Sequence, residues 1–494
     1  MRICVLQSSH QPYKHSHAQD GPIMLDLQSL TSQHIFVHRF IQEDIMCGDN
    51  SSKEINAVVS EGYDFYLNFL TDSESCRYFE SLTLPSACGL SWEKLQRADT
   101  LDGPAGASRN SEYDHSGKAY TIAVIELSNE FAIALNPCAT ELPTQIATPV
   151  EQHEGPKLLA HLQQEALRTF FKVRIGHESR TGGCTVNFRV RDGQVMSTSV
   201  HSLLRVFLTK ELIHGLPGGL PALINILIAR ETLKSGNSNS RKLPELAAAY
   251  NSVAPVYDAD GQLYSADETN FQAIVDDFDF RGTVLDLACG TGYFGRVLRA
   301  CTQRRHRKPE TENGTETQTD RGLVIIGSDI SPGMVEICRK TGVYNEVHVG
   351  RIQTFFSDYY DSAVAGQIDH IVCFGAVYLL TTEELAFMLV SCFAAAGKTV
   401  TIGVDEVPSA YSNYMDQLDM PYLRGTNHVA QMDAMFAKPP GWRLVSRQRR
   451  FSWTTPDGGD VYATFYRFER IVGERKMLLL SRGAGGCHFN GVVV

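Results

Sequence analysis

Residues 284–295, V-L-D-L-A-C-G-T-G-Y-F-G, constrain the fold more than any other stretch of the chain. A short apolar run ends in the acid Asp286, and small residues with two glycines then lead to Tyr293 and Phe294. This order predicts a buried strand that turns tightly into a helix. Glycine lets the backbone approach a ligand closely, and a helix start offers unpaired N–H groups to a polar group. We therefore expect a ligand-binding turn here.

The composition is that of an ordinary soluble globular protein. The 494 residues suffice for two or three domains, with 43% hydrophobic and 20% charged residues. A net charge of −11 argues against nucleic-acid or membrane-surface partners. The 12 cysteines show no C-x-x-C pair, which is typical of reduced thiols. The N-terminus lacks a signal-peptide block and no apolar run could span a bilayer, so we expect a cytoplasmic protein.

The first half of the chain alternates strand-like and helix-like segments. Strands are predicted at 3–7, 34–38 and 63–70, and a helix at 54–61, a pattern that favours a parallel sheet. Further on, turn residues at 128–129 and 191–193 predict two β-hairpins, with a helix over 157–173 between them. His10, His15 and His17 have no Cys or carboxylate at ligand spacing, so a solvated loop is favoured over a metal cluster.

Three segments of this half resemble a shortened ATP-grasp protein of the D-alanine–D-alanine ligase type. They are M-R-I-C-V-L-Q-S-S, Y-D-F-Y-L-N-F-L and T-V-N-F-R-V-R-D-G-Q-V-M-S-T-S-V-H-S. The resemblance implies an α+β fold in which the last segment is the family's metal-binding hairpin. Here those positions carry Asn187, Ser199 and His201, none of them the carboxylate that magnesium prefers. The stretch 100–118 is also too short for the nucleotide-gripping elements, so we expect a module that does not ligate and holds no metal.

Two polar stretches divide the chain. S-G-N-S-N-S-R at 235–241 cannot bury anything and predicts a linker. We therefore expect a first domain at 1–234, a linker at 235–243, a second domain at 244–470 and an unstructured tail at 471–494. A second polar stretch, 303–321, contains R-R-H-R-K, for which a solvated insertion is favoured over a nuclear signal or an RNA contact.

The second domain repeats the strand–turn–helix pattern. The run L-V-I-I-G-S-D-I-S at 323–331 predicts a buried strand ending in Asp329, followed by a helix over 332–340. Asp329 follows Asp286 by more than twice the roughly 20 residues usual in a βαβ unit that reads a ribose. Removing the insertion at 303–321 makes the spacing ordinary. Later strands at 368–375 and 398–404, and a closing hairpin over 442–469, are typical of a doubly wound sheet with a reversed edge strand.

Three motifs of this domain occur in order: V-L-D-L-A-C-G-T-G, I-G-S-D-I-S-P-G-M and Q-I-D-H-I-V-C-F-G-A-V-Y-L-L. Asp286 beside the turn argues against a pyrophosphate and suits a neutral or cationic ligand. The motifs resemble the class I S-adenosylmethionine-dependent methyltransferases, and the lead-in Y-N-S-V-A-P-V-Y-D is similar to their small-molecule branch. The resemblance implies an α/β fold with a seven-stranded Rossmann-like sheet, S-adenosylmethionine as cofactor and a small-molecule acceptor.

The resemblance also implies roles for individual residues. Four positions of the turn would line the methionine part of the cofactor: Asp286, Ala288, Gly290 and Gly292. Asp329 would accept hydrogen bonds from the ribose hydroxyls, with Ile330 and Met334 against the adenine. Phe374 would face the cofactor and the acceptor, and Tyr250 or Tyr257 would close over them; ordinary core packing is the alternative for these three rings.

Two positions depart from the family pattern. Ala288 replaces a glycine, which is tolerable. Arg351 stands where the family has an acid that bonds the adenine amine, and a guanidinium cannot accept a hydrogen bond. A neighbour such as Gln353 would have to serve, or the adenine contact would be weaker.

The sequence does not name a base. Transfer from a sulfonium depends mainly on orientation and exclusion of water, and a base is needed only for a hydroxyl or a protonated amine. The candidates are Tyr378, Asp405, Glu406, Tyr411, Tyr414 and Asp416, each with packing or surface exposure as the alternative.

We expect a methyltransferase acting on a small molecule, fused to an inactive ATP-grasp-like domain. The fusion resembles architectures of fungal secondary metabolism. The alternative is a nucleotide- or peptide-binding scaffold with a regulatory methyltransferase-like half, and the oligomeric state stays open.

Overall fold

In the computed structural model the chain forms two compact units. One is Met1–Ser235 together with Arg475–Val494, and the other is Gly236–Glu474. The residues that the structure describes are 2–8, 35–41, 49–63, 65–69, 87–88, 118–127, 131–140, 148–149, 156–174, 182–202, 213, 215–235, 238–259, 261–306, 322–356, 368–456, 458–472 and 478–481. The predicted loop with three histidines and residues 307–321 of the predicted insertion lie outside them, whereas residues 303–306, predicted to begin the insertion, are helical.

The N-terminal unit contains a parallel sheet. Its strands are β1 (Arg2–Ser8), β2 (Ile35–Ile41), β3 (Phe65–Phe69) and β4 (Ala87–Cys88), in the order β2-β1-β3-β4, with helix α1 at Asp49–Ser60. All three pairings are parallel, as the alternating pattern predicted. Residues 3–6 of β1 are fully buried, because a central parallel strand is covered on both faces.

An antiparallel sheet completes this unit. Its strands are β5 (Lys118–Glu126), β6 (Phe131–Ala134), β7 (Cys138–Thr140), β8 (Thr148–Pro149), β9 (Gly183–Arg191) and β10 (Gln194–Ser202); its helices are α2 (Pro156–Arg174) and α3 (Gly219–Ser235). Both predicted hairpins are confirmed, since β5 pairs with β6 and β9 with β10. The second turns through Asp192 (φ 51°) and Gly193 (φ 75°), left-handed conformations that Asp and Gly tolerate best.

The C-terminal unit is built on a mixed sheet. Its strands are β11 (Thr283–Asp286), β12 (Val324–Asp329), β13 (Glu346–Val349), β14 (Ile368–Cys373), β15 (Thr399–Asp405), β16 (Trp442–Thr454) and β17 (Asp460–Arg470). Its helices are α4 (Ser238–Tyr257), α5 (Gly261–Asp276), α6 (Tyr293–His306), α7 (Pro332–Lys340), α8 (Thr382–Ala395), α9 (Ser409–Gln417) and α10 (Val429–Phe436).

The strand order of this sheet predicts a crevice beside β11. Within the described residues the order is β13-β12-β11-β14-β15-β17-β16. The first five strands are parallel, and β17 runs antiparallel between β15 and β16. The chain first builds outward from β11 to β13 and then continues on the other side through β14. In open α/β sheets such a reversal leaves a crevice at the carboxyl ends of the strands, where ligands bind.

The core of this unit explains why these segments are strands. All seven residues of β15 are buried, and the apolar residues of β11, β12 and β14 pack with rings from α5 and α6. Phe271 of α5 and Phe294 of α6 lie 5.5 Å apart by ring centroid. These contacts fix the ends of β11 and β14 relative to each other, and with them the crevice.

Two expectations from the sequence are wrong. The predicted linker at 235–243 overlaps α4, which begins at Ser238 and accommodates Pro244 in its interior. The predicted unstructured tail contains a strand, β18 (Leu478–Ser481), which pairs antiparallel with β6. The pairing gives β6 a second main-chain partner besides β5.

Among the helices of the described residues, none combines the length and the apolar character needed to span a membrane.

Candidate functional site

Three carboxylates lie at the carboxyl ends of parallel strands of the C-terminal sheet. Asp286 ends β11, Asp329 ends β12 and Asp405 ends β15. Cys373 ends β14 between them: burial raises the pKa of this thiol, and the neighbouring Cys392 and the three carboxylates raise it further. An acidic crevice of this kind favours a cationic or neutral ligand over a phosphate.

Asp286 is held inside the fold. Its side chain is 1% exposed, and its Oδ2 accepts a hydrogen bond of 2.7 Å from the Tyr344 hydroxyl. That hydroxyl in turn accepts a bond of 3.1 Å from the backbone N–H of Gly295. Burial raises the pKa of Asp286 to about 7, against the opposing effect of the hydrogen bonds from Tyr344 and the Ala288 amide. Asp286 therefore links the end of β11 to the start of α6.

Three glycines surround the Tyr344 ring. A Cβ at Gly295 would overlap that ring, one at Gly292 would lie 3.1 Å from it, and one at Gly327 would lie 2.9 Å from it. Gly292 also needs a positive φ of 88°. The glycines on this side of the turn are therefore required by internal packing. Tyr344 itself was missed from the sequence, because a single tyrosine before a short strand carries no local pattern.

Gly290 lies on the opposite side of the turn and faces open space. Its φ is 51°, and no atom lies within 4 Å of where a Cβ would be. Gly375, in the turn after β14, has a φ of 65° and the same open surroundings. The two open glycines follow adjacent strands at the point where the strand order reverses. They leave room for a ligand to approach the backbone.

Asp329 is fixed beside Gly290. Its Oδ2 accepts a hydrogen bond of 3.0 Å from the Gly290 N–H, and its Oδ1 accepts one of 2.9 Å from the Ser331 N–H. Burial raises the pKa of this half-buried carboxyl, and the two amides counteract the shift. Each carboxylate oxygen keeps a further lone pair for a hydroxyl donor. The side chain is thus pre-positioned at the edge of the crevice.

Helix α4 is tied to both sides of this arrangement. Asn251 Oδ1 accepts hydrogen bonds of 2.7 Å from the Ser331 hydroxyl and from the Gly333 N–H, at the start of α7. Asp258, just beyond α4, accepts bonds from Thr291 Oγ1 at 2.6 Å and from the Arg296 guanidinium at 3.0 Å. Sequence reasoning did not single out Asn251 or Asp258 as site residues, although both lie in the lead-in motif Y-N-S-V-A-P-V-Y-D. That motif was the available signal.

The nine predicted cofactor residues separate by exposure. The half-buried ones are Ala288, Gly290, Asp329, Ile330 and Tyr257. The buried ones are Asp286, Gly292, Met334 and Phe374. The Phe374 ring packs at 5.2 Å from Phe271 and 5.1 Å from Phe294 and is 8% exposed. Arg351 is exposed and its neighbour Gln353 is buried.

The predicted tyrosines beyond β14 form an aromatic cluster. Tyr378 and Tyr411 are buried and lie 6.1 Å and 5.5 Å from the Trp453 ring, and Tyr414 packs against the same cluster. The hydroxyls of Tyr250 and Tyr378 are hydrogen-bonded to each other. Burial raises the pKa of Tyr378 well above its ordinary value and that of Tyr411 to about 12. Both phenols are therefore protonated at neutral pH and do not act as bases.

The three carboxylates among the base candidates differ in what they contact. Glu406 is bound by the Arg449 Nε at 2.9 Å and by Thr464 Oγ1 at 2.7 Å. Asp416 is exposed and paired with Arg424 at 2.6 Å. Asp405 is 2% exposed, and its Oδ2 has no hydrogen-bond partner among the described residues. Burial raises the pKa of Asp405 to about 6.

Across the described ranges, no group of three or more His, Cys, Asp or Glu side chains is placed to hold a metal ion.

Comparisons with known proteins give structural likeness only. No family model matches the chain, and no curated protein matches it. Solved structures that resemble it include magnesium protoporphyrin IX methyltransferase from Synechocystis with bound S-adenosylhomocysteine, at 14% identity over 47% of this chain and 100% of the other, with a TM-score of 0.33. Another is an S-adenosylmethionine-dependent methyltransferase from Anabaena variabilis, at 12% identity over 46% of this chain and 95% of the other, with a TM-score of 0.32.

A third is the N-methyltransferase NodS from Bradyrhizobium japonicum, at 13% identity over 43% of this chain and 98% of the other, with a TM-score of 0.29. Identities this low say nothing about the substrate of this chain or the roles of its residues.

Proposed function

We propose that the C-terminal unit binds S-adenosylmethionine in the crevice beside β11 and transfers its methyl group to a small molecule, in a pathway of secondary metabolism. The observation that carries the proposal is the pairing of a fixed carboxylate, Asp329, with an open left-handed glycine, Gly290, where the strand order reverses. Ligands of open α/β sheets bind at this place.

The residues present fit such a cofactor. Asp329 offers free lone pairs to ribose hydroxyls, and the open sides of Gly290 and Gly375 leave space that a Cβ would fill. The acidic crevice suits a positively charged sulfonium and disfavours the pyrophosphate of a dinucleotide. Bound there, S-adenosylmethionine would supply an activated methyl group. The chain's own contribution would be to hold the two reactants in line and exclude water.

The buried cofactor candidates have a supporting role in this proposal. Asp286 and Gly292 shape the turn from its inner side, through Tyr344. Phe374 supports the end of β14 through its contacts with Phe271 and Phe294. Tyr257 and Ile330 are half-buried and remain the candidates for direct contact, together with Ala288.

Titration calorimetry with S-adenosylmethionine tests the proposal. We expect the wild type to bind and Asp329→Asn to bind at least 10-fold more weakly, about 1.4 kcal/mol, because the amide offers fewer acceptor sites and no charge. The matched control is Glu336→Gln, which changes an exposed carboxylate of α7 paired with Lys340 and should leave the affinity unchanged. Absence of binding in the wild type, or tighter binding of NAD, would contradict the proposal.

The alternative is a scaffold whose methyltransferase-like half is regulatory. It predicts cofactor binding without turnover. Incubating the protein with methyl-labelled S-adenosylmethionine and a metabolite extract separates the two, because only the enzyme produces a labelled small molecule.

We further infer that the N-terminal unit is an ATP-grasp-like module that does not ligate. Asn187 and Ser199 face each other in the β9–β10 pairing, at two of the positions where the family's resemblance places magnesium ligands. Asn187 Oδ1 accepts a hydrogen bond of 2.8 Å from Thr121 Oγ1, so this amide oxygen is engaged within the sheet. We expect no magnesium-dependent ATP hydrolysis above background in a phosphate-release assay, and measurable hydrolysis would contradict the inference.

A further inference from the structure

We propose that Asp405 binds the methyl acceptor and acts as its general base, and that the acceptor is a neutral small molecule reacting through a hydroxyl group. The inference rests on the proposed methyl transfer and adds the acceptor class and the residue that activates it.

The Asp405 carboxylate is built into the fold with one oxygen satisfied and one left over. Its Oδ1 accepts hydrogen bonds from Ser452 Oγ at 3.1 Å and from Trp453 Nε1 at 3.3 Å. Its Oδ2 is buried and has no partner among the described residues. Leaving a buried carboxylate oxygen unpaired is costly, and in native proteins such groups are rare. A donor from a ligand would satisfy it.

The backbone around Asp405 is arranged to hold this orientation. The β16–β17 register shifts between Phe451 and Trp453, so a β-bulge lies where Ser452 and Trp453 reach the carboxylate. On the intervening strand β17, the residue paired with Asp405 is Ala463, whose small side chain lets the Asp405 side chain extend toward β16. Bulges of this kind re-aim side chains next to functional sites.

Asp405 ends β15 and Asp329 ends β12, so both carboxylates lie at the carboxyl-terminal edge of the parallel strands, where the proposed function places the cofactor. Both carboxylates raise the pKa of Tyr250, whose largest shift comes from burial. Both also raise the pKa of Cys373 at the end of β14, again after burial and Cys392. In the strand order β12-β11-β14-β15, Asp405 lies on the other side of β11 from Asp329, which the proposed function assigns to the cofactor.

The other base candidates do not offer a comparable group. Glu406 is occupied by Arg449 and Thr464, and Asp416 by Arg424 on the surface. The phenols of Tyr378 and Tyr411 keep their protons at neutral pH. These two tyrosines are suited to line the binding site of the acceptor and not to deprotonate it.

A hydroxyl is the acceptor that gains most from this carboxylate. A neutral amine attacks with its own lone pair, whereas a hydroxyl is a poor nucleophile until its proton is removed. An anionic acceptor such as a carboxylate would be repelled by Asp329 and Asp405. In the transfer, the acceptor O–H bond breaks and its proton moves to Asp405 Oδ2. The new O–CH3 bond forms as the C–S bond of the sulfonium breaks, with that electron pair left on sulfur, so charge is conserved.

The test compares Asp405→Asn with Glu406→Gln. Asparagine keeps the size of the side chain and an oxygen for Ser452 and Trp453, but it removes the base. With methyl-labelled S-adenosylmethionine and a metabolite extract, we expect the wild type to label a methyl ether, recognised by release of labelled methyl iodide in hot hydriodic acid. Asp405→Asn should label it at least 100-fold more slowly. Glu406→Gln, the adjacent carboxylate with its own partners, should stay within threefold.

Two further measurements do not depend on turnover. Calorimetry should give Asp405→Asn an affinity for S-adenosylmethionine within threefold of the wild type, which also shows that the variant is folded. Difference infrared spectroscopy should show a protonated carboxyl band that appears as the pH falls through about 6. This band should be missing in Asp405→Asn, and its midpoint should move to lower pH when the cationic S-adenosylmethionine is added.

The outcomes separate this inference from the proposed function. No binding of S-adenosylmethionine by the wild type overturns both. Binding with turnover onto nitrogen, sulfur or carbon, or turnover that survives Asp405→Asn within threefold, overturns only the role of Asp405. Binding without any labelled product, or a carboxyl band that ignores the cofactor, also counts against it.

Discussion

The two sides of the glycine-rich turn after β11 use the same residue types for opposite purposes. On the inner side, Gly295 and Asp286 contact Tyr344, and no ligand could reach them without displacing that ring. On the outer side, Gly290 faces open space and Asp329 is half-buried. One short motif therefore meets a packing requirement and a binding requirement at once. Substitutions on the two sides should fail in different ways.

The largest difference is expected between Gly295→Ala and Gly290→Ala. A Cβ at Gly295 would overlap the Tyr344 ring, so we expect a loss of unfolding free energy of about 3 kcal/mol or more. At Gly290 the space is open and only the left-handed backbone costs energy, about 1 kcal/mol. Denaturant unfolding of the two variants measures this. Equal stabilities would break the distinction between the two sides.

The two glycine variants should rank in the opposite order when their affinity for S-adenosylmethionine is measured. Gly290→Ala places a methyl group in the space assigned to the cofactor, so its affinity for S-adenosylmethionine should fall by 10-fold or more, although the variant stays folded. Unchanged affinity would mean that this open side is not where the cofactor binds.

The next effect concerns the pH dependence contributed by Asp286. Its pKa is raised from 3.8 to about 7 in the folded state, so between these values the folded chain binds more protons than the unfolded chain. Asp286 therefore stabilises the fold less as the pH rises toward 7, by up to about 2.5 kcal/mol between pH 5 and pH 8. Over this pH range the free energy of unfolding of Asp286→Asn, measured with denaturant, should rise relative to that of the wild type.

The smallest effect is expected at the attachment of α4. Asn251→Ala removes the acceptor for Ser331 and Gly333, so we expect about 1 kcal/mol of lost stability and faster proteolysis at 238–259. Cofactor affinity should fall only a few-fold, since Asp329 keeps its own two amide donors. A loss as large as that of Asp329→Asn would show that α4 takes a direct part in binding.

The outer side of the turn could be predicted from the sequence, because its residues follow from local geometry. A strand ending in an acid, followed by glycines and a helix, already places Gly290 and Asp329 at the carboxyl ends of adjacent strands. The inner side could not be predicted in this way. Tyr344 reaches Asp286 from 58 residues away, and no local pattern encodes that contact.

The role of Asp405 was also out of reach of the sequence. It was one of six candidate bases, and what distinguishes it depends on a bulge in β16 and on the pairing of β15 with β17. Glu406 and Asp416 are eliminated because arginine side chains already bind them, and these ion pairs are visible only in the three-dimensional structure. The sequence predicted the fold of the C-terminal unit better than its chemistry, because apolar strands that alternate with helices indicate directly which segments are buried.

The hydrogen bond between Tyr344 and Asp286 also determines how much the chain between these two residues can vary in length. It closes a loop whose ends are 58 residues apart, and the polar segment around 303–321 lies within that loop. The entropy of closing a flexible loop rises only with the logarithm of its length, about 0.6 kcal/mol per doubling. A segment of this size therefore adds less than about 0.5 kcal/mol to the closure. Changing the number of residues between Asp286 and Tyr344 therefore alters the free energy of closure little, provided that Tyr344 still reaches the turn.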